Sequence, residues 1–304
     1  MRIYNSSDAR LDTPAVVALG CFDGVHIGHA AVIRTAKERA TALGLPLAVF
    51  TFTQPPRSFF SPVAVPMICT TEEKLALLET LGVDNVLCLP LSSELLQTSA
   101  HDFIEQILLS QMKAAHVVCG YDYTFGKHAL GNTELIQSVC NAAGVGVDVV
   151  GKTTYQDTPV SSSRIRTAIA EGDVELAHAL LGRPYSLTSH VVDGQHLART
   201  LGFPTVNILP DKCLILPRNG VYLTRTSVGD RCFFGVTNAG TRPTVDTHFP
   251  CVETHLLDFD GDLYGKTVKT EFIKFIRDEK KFPSVDDMAE QVRKDIQTAR
   301  DMLK

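Results

Sequence analysis

Two architectures in succession are predicted for this chain: an α/β domain built on a doubly wound parallel sheet, then a mostly antiparallel β-barrel with a C-terminal helix. Three observations predict them. Up to residue 181, short apolar runs alternate with amphipathic stretches of about 10–15 residues, the pattern of βαβ units. From Leu187 onward, short alternating runs follow one another with no helical stretch between them, the pattern of an antiparallel barrel. The last stretch carries Val285, Met288, Val292, Ile296, Ala299 and Leu303 at helical spacing behind Ser284, a side chain suited to cap it. The pattern changes at Gly182 to Ser186, so the domains are expected at 1–183 and 184–304.

The elements follow in order. Ala15–Leu19 reads as a buried strand feeding a helix over 29–43, which Gly44 and Pro46 end. Leu47–Phe52 is a second strand, followed by a proline-rich loop, 54–62. A helix over 71–81 leads to a third strand, Asn85–Leu89. An amphipathic helix over 100–112 carries Phe103, Ile104, Ile107 and Leu108 on one face. Strands over 116–119 and 145–150 flank a helix over 133–143. Short helices over 167–170 and 173–181 close the domain. Barrel strands are expected at 187–192, 221–226, 232–237, 252–259 and 269–275.

With 304 residues, 44% hydrophobic and 21% charged, the chain has the composition of a soluble globular protein. A net charge of -5 argues against a nucleic-acid binder and carries no membrane-surface signal. No apolar run reaches the roughly 18–20 residues of a membrane span, and residues 1–10 lack the apolar core of a signal peptide. Eight cysteines without a C-x-x-C pair suggest neither a zinc site nor a disulfide framework, and cytoplasmic residence is expected. Homo-oligomerisation is left open.

Three segments of the first domain fall where a doubly wound sheet gathers ligands. Gly20 to His29 joins the first strand to a helix N-terminus, where glycines let backbone N–H groups approach an anion. His26 and His29 add donors beside it. In Ser161-Ser162-Ser163-Arg164-Ile165-Arg166, hydroxyls at a helix start and an arginine one turn in suit phosphate oxygens. Alone, that hexapeptide reads equally as a serine cap with solvated arginines. Gly120 to Gly126 offers Asp122 among aromatic neighbours, suited to a polar-edged ring.

The run Gly20 to His29, G-x-F-D-G-V-H-x-G-H in form, resembles the signature of the HxGH nucleotidyltransferases, a Rossmann-like superfamily, and in particular of prokaryotic FAD synthetases. Thr51-Phe52, Thr70 to Lys74, Gly120 to Gly126 and the S-S-S-x-I-R segment extend the resemblance over the first domain. It implies that His26 and His29 contact ATP phosphates, within a loop of Gly20, Phe22, Asp23, Gly24 and Gly28. It further implies Ser162, Ser163 and Arg166 on the polyphosphate, and Asp122, Tyr123, Phe125 and Phe59 on the flavin. The implied reaction is attack of the FMN phosphate on the α-phosphorus of ATP, giving FAD and pyrophosphate without a covalent enzyme intermediate. The family's T-F-E-P-H-P-R stands here as Thr51-Phe52-Thr53-Gln54-Pro55-Pro56-Arg57, a departure at the flavin end.

The barrel resembles the riboflavin kinases. The motifs that carry this are Gly194 to Asn207 (a glycine loop and a P-T-x-N motif), Asn219 to Tyr222, Thr237 to Thr244, Glu253 to Phe259 and Asp262 to Gly265. The resemblance implies Glu253 of E-x-H-L as the catalytic base, and Thr205 and Asn207 as neutral oxygen ligands for a Mg²⁺ held by ATP. It places Gly194, Ala198, Arg199, Gly202, Pro204 and Asn238 on ATP, and Arg277, Glu279 and Phe282 on the flavin. Ala198 and Val206 replace the family's usual glycine and alanine. Taken alone, Glu253 would read as an outward residue of an alternating strand, and Pro204 to Asn207 as a turn.

The expectation is a bifunctional enzyme that makes FMN and ADP from riboflavin and MgATP, then FAD and pyrophosphate from FMN and MgATP. It requires no permanently bound prosthetic group. The competing readings are retention of only one activity, adenylyl transfer to some other phosphate, and a non-catalytic flavin sensor.

Overall fold

The computed structural model describes residues 1–60, 65–193, 203–243 and 248–304, with 59–60, 241–243 and 248–250 as backbone alone. The chain divides into two compact units, Met1–Ser162 and Ser163–Lys304.

The first unit holds β1 (Arg2–Tyr4), β2 (Ala15–Leu19), α1 (Ile27–Leu43), β3 (Leu47–Phe52), α2 (Arg57–Phe60), α3 (Thr71–Thr80), β4 (Asn85–Leu89) and α4 (Ser93–Gln97). There follow α5 (Ala100–Asp102), continued as a π-helix over Phe103–Gln111, then β5 (Ala114–Gly120), α6 (Thr133–Ala142) and β6 (Gly146–Val150). A small hairpin, β7 (Thr154–Tyr155) and β8 (Thr158–Pro159), ends it. Six strands form one parallel sheet in the order β1-β4-β3-β2-β5-β6.

Both faces of this sheet are covered, which is why its strands read as unbroken apolar runs. Alternate residues of β2 serve opposite cores, as the two-residue period of a strand requires. Val17 and Leu19 pack with Phe103, Ile104, Ile107, Leu108 and Ile136, whereas Val16 and Ala18 pack with Val32, Ile33, Ala36 and Leu78. The strand order reverses between β2 and β5. That reversal is a switch point, and the loops after these two strands leave into the crevice it opens.

The stretch expected as an α-helix over 100–112 is π-helical for most of its length. Its buried residues are Phe103, Ile104, Ile107, Leu108 and Met112, and the Met112 N–H donates to the Ile107 carbonyl at 2.9 Å, an i→i+5 bond. Apolar pairs recurring every four to five residues meet the sheet better on this wider helix.

The second unit begins within α7 (Ser162–Glu171) and continues through α8 (Val174–Leu181) to a closed barrel. The barrel strands are β9 (Tyr185–Val192), β10 (Thr205–Ile208), β11 (Gly220–Val228), β12 (Arg231–Pro243), β13 (His248–Leu256) and β14 (Thr267–Asp278). Their order is β10-β13-β12-β11-β14-β9, closed by antiparallel pairing of β9 with β10. The compact units divide two helices earlier than the expected 183/184 boundary, because α8 buries Val174, Ala177, Leu180 and Leu181 and lies against β9 and β14.

The final helix, α9 (Val285–Met302), is capped by the Ser284 hydroxyl, which accepts the Asp287 N–H at 3.1 Å. It covers the outside of the barrel, where Ala299 and Ile296 pack on Val221, Leu223, Val236, Ile273 and Ile276. The alternate residues of the same strands fill the interior: Tyr222, Phe272, Thr224, Thr237 and Thr254 are all buried. Their hydroxyls form a chain, Thr224 to Thr237 at 2.7 Å and Thr237 to Thr254 at 2.8 Å, which satisfies them away from water.

Candidate active sites in the two units

The loop from Gly20 to His26 is shaped by close backbone packing. Gly24 has φ +79°, and a Cβ there would come within 2.8 Å of Ile68 Cγ2. Phe22 (φ 50°) and Val25 (φ 38°) are also left-handed, a costly arrangement for side-chain-bearing residues that persists only when the surroundings enforce it. The enforcing contacts are visible. Thr51 Oγ1 donates to the Cys21 carbonyl at 2.8 Å, the Ile68 N–H donates to Asp23 Oδ1 at 3.0 Å, and Ser162 Oγ donates to the Asp23 carbonyl at 3.0 Å. Asp23 is buried, and its carboxylate serves to hold the segment at Ile68.

His26 caps α1: its Nδ1 accepts the His29 N–H at 3.2 Å. This starts the helix two residues before the expected position. It also selects the tautomer with a proton on Nε2, a donor. The two imidazoles stack with centroids 3.5 Å apart at 15°, and Phe22 meets the His29 ring edge-on at 5.2 Å. Gly28 is required by this stack, since a Cβ there would lie 3.2 Å from the His26 ring. Two stacked imidazoles beside the first turn of a 17-residue helix form a site for negative charge.

After β5, Asp122 is exposed and Tyr123 half-buried, while Phe125 is buried. Phe125 packs on Phe103 (5.1 Å) and Tyr123 (5.8 Å). Burial pushes the Tyr123 hydroxyl well above its ordinary value, with Cys21 and Cys119 nearby adding to the effect. The structure thus brings the β2 and β5 loops to the two sides of the switch point and sets the start of α7 against Asp23. Ser163 and Arg166 follow on α7, in the second unit. The side chain of Phe59 lies outside the described residues.

In the barrel, register does the positioning. Asn207 on β10 stands directly opposite Glu253 on β13, which stands opposite Asn238 on β12. Directly opposed residues share a face, so the three side chains form a row on the outer surface, alternating with interior Thr254 and Thr237. Thr205 lies on the same face two residues before Asn207. His255 anchors the entry to β10, its Nδ1 lying 3.0 Å from the Pro204 carbonyl and its ring edge-on to Phe203.

Asn238 Nδ2 donates to Glu279 Oε1 at 3.3 Å, which brings Glu279 beside the row. Arg277 binds Asp295 of α9 through Nε (2.9 Å) and Nη2 (2.7 Å), gives Nη1 to the Asp278 carbonyl, and lies 5.9 Å from the Phe282 ring. Its fork therefore anchors α9 to β14. Gly194, Ala198, Arg199 and Gly202 lie outside the described residues.

Sequence reasoning did not single out Lys74, buried at the start of α3 with Nζ donating to the Phe52 carbonyl, nor Asp295, nor Cys251. Lys74 stands in the quoted Thr70 to Lys74 segment, so a signal for it was present. Asp295 and Cys251 gain meaning only from their neighbours in space.

A family model described as FAD synthetase matches residues 8–164, and one described as riboflavin kinase matches residues 181–303. The bifunctional riboflavin kinase/FMN adenylyltransferase of Bacillus subtilis is 38% identical over 290 residues, covering 94% of this chain and 91% of the relative. The Escherichia coli K12 protein of the same name is 35% identical over 307 residues, covering 99% and 96%. Among solved structures, one described as a macrolide-efflux protein from Streptococcus pneumoniae is similar over 99% of this chain and 98% of its own, at 31% identity and a TM-score of 0.90. Among the described residues, no helix is long and apolar enough to cross a membrane. On two matched domain models and relatives spanning nearly its whole length, the chain belongs to the bifunctional riboflavin kinase/FMN adenylyltransferase family.

Proposed function

We propose that the barrel phosphorylates riboflavin to FMN with release of ADP, and that the first unit, completed by α7, adenylylates FMN to FAD with release of pyrophosphate. On this reading the functional boundary falls at 183/184. The observation that carries it is the joint presence, in one chain, of the stacked His26–His29 pair at a helix N-terminus and the Asn207–Glu253–Asn238 row.

In the adenylyl transfer, an oxygen of the FMN phosphate attacks the α-phosphorus of ATP and the bond to the β-phosphate oxygen breaks. Little covalent chemistry falls to the protein, so positioning and charge stabilisation carry the rate. His26 Nε2–H, His29 and the first turn of α1 stabilise negative charge on the phosphoryl oxygens, with Ser162, Ser163 and Arg166 on the polyphosphate. Asp122, Tyr123, Phe125 and Phe59 form the flavin side.

In the phosphoryl transfer, Glu253 accepts the proton of the ribityl hydroxyl as its oxygen attacks the γ-phosphorus and ADP departs. Asn238, Pro204 and the loop of Gly194, Ala198, Arg199 and Gly202 hold ATP, while Glu279, Phe282 and Arg277 border the flavin. Thr205 and Asn207 supply hard, neutral oxygens beside one carboxylate, a donor set that fits a Mg²⁺ already carrying phosphate oxygens. When bound, such an ion neutralises charge on the phosphates. The protein is assigned to the cytoplasm, where its eight thiols stay reduced.

Chromatography of products from riboflavin and MgATP over time tests the reading. FMN is expected first, then FAD. FAD never formed from supplied FMN, or FMN never formed from riboflavin, would remove the corresponding half.

A further inference from the structure

One buried group lies at the centre of the kinase row without a role in the proposed chemistry. Cys251, only 4% exposed, precedes Glu253 by two residues on β13 and shares its face. Its Sγ lies 3.9 Å from Asn207 Oδ1 and 3.9 Å from Glu253 Oε1. Across the ladder it faces Gly240, whose missing side chain leaves the sulfur room. A thiol has one proton and is a weak donor; both oxygens are acceptors.

The consequence concerns the Asn207 amide. A carboxamide presents either its oxygen or its NH₂ to a given side, and only the oxygen binds a hard cation. Asn207 Nδ2 is turned towards Thr205 Oγ1 at 3.4 Å, a long contact that constrains the amide weakly. The opposite edge faces sulfur and carboxylate. With an S–H donor there, the side of the amide next to Glu253 is the oxygen side. Without it, Oδ1 stands near a carboxylate oxygen with no proton between them, and like-charged oxygens repel.

Resting on the proposed kinase site, we propose that Cys251 is a positioning residue: its thiol, shared between Asn207 Oδ1 and Glu253 Oε1, keeps the amide oxygen turned to the metal–nucleotide position and the carboxylate beside it. The thiol contacts neither substrate nor metal.

The test uses the full chain and calorimetric binding of ADP with and without Mg²⁺. In wild-type protein, Mg²⁺ strengthens ADP binding. In Cys251→Ala, metal-free ADP binds as before, while MgADP binds roughly five- to tenfold more weakly, the size of one lost hydrogen bond. Cys251→Ser, with a hydroxyl on a shorter bond, recovers part of that loss. A purely structural role would not separate ADP from MgADP, and FAD formation from FMN stays at the wild-type rate in both variants. Equal MgADP affinity in wild type, Cys251→Ala and Cys251→Ser overturns the inference. Glu253→Gln, assayed in parallel, separates the two levels. Loss of FMN formation there with unchanged MgADP binding in Cys251→Ala sinks only the cysteine's role, whereas full FMN formation in Glu253→Gln sinks the site assignment beneath it.

Discussion

In the first unit the two histidines owe their places to the backbone of one loop, whereas in the barrel Asn207, Glu253 and Asn238 owe theirs to strand register. The loop holds residues at positive φ and a glycine under an imidazole, so added atoms or altered dihedrals disturb it directly. The row on β10, β13 and β12 is ordinary antiparallel geometry and tolerates local change, but it fails if the strands or the helix anchoring them shift. One site is therefore vulnerable to a methyl group and the other to a distant ion pair.

The sharpest separation is chemical. Glu253→Gln is expected to lower FMN formation by about 10²–10⁴-fold, the usual contribution of a general base, with FAD formation from FMN unchanged. His29→Ala is expected to lower FAD formation by about 10²–10³-fold and spare the kinase. Stopped-time product assays on purified variants read both.

The next effect is on stability. Asp295 is 3% exposed and accepts both the Arg277 fork and Gln291 Nε2 at 2.9 Å. Asp295→Ala strands a partly buried guanidinium and should cost about 3–5 kcal/mol in the barrel. A melting scan should show the second unit unfolding earlier, with FAD formation from FMN surviving at temperatures where the kinase is lost.

The loop responds differently. Gly28 has ordinary helical backbone, so Gly28→Ala should be neutral or stabilising by up to about 1 kcal/mol. Its methyl nevertheless displaces the His26 ring, and a shift of tenths of an ångström should slow adenylyl transfer on the order of tenfold. A more stable but slower variant would support the loop account; an equally fast one would contradict it.

The smallest effect is electrostatic. Burial alone would raise the Glu271 carboxyl, but hydrogen bonds from Arg225 (2.7 Å) and Lys269 (3.1 Å) and their charges hold it below its ordinary value. A depressed folded-state pKa contributes stability above the unfolded value, lost as pH falls through the folded one. Barrel stability should decline on acidification below about pH 4.5, and Glu271→Gln should flatten that limb in denaturant titrations at several pH values.

Sequence and structure agree where burial is two-sided. β2, β3 and β4 match their apolar runs residue for residue, because a strand covered on both faces leaves a continuous signal. β10 reads as a turn, since four residues behind a proline, with Thr205 and Asn207 alternating with Val206 and Ile208, leave too short a period to count. The π-helix over Phe103–Gln111 was invisible because its apolar pairs also fit an α-helix. The candidate site residues are legible as motifs, whereas their supports are not. That Asn207, Cys251 and Glu253 meet depends on the register of β10 against β13, and that Arg277 meets Asp295 depends on where α9 lands.

The central claim, that two self-sufficient sites act in sequence, is tested most directly by complementation. His29→Ala and Glu253→Gln are each incubated with riboflavin and MgATP, alone and mixed. The account predicts FMN alone from the first, no product from the second, and FAD from the mixture. FAD from either variant alone, or none from the mixture, would contradict it.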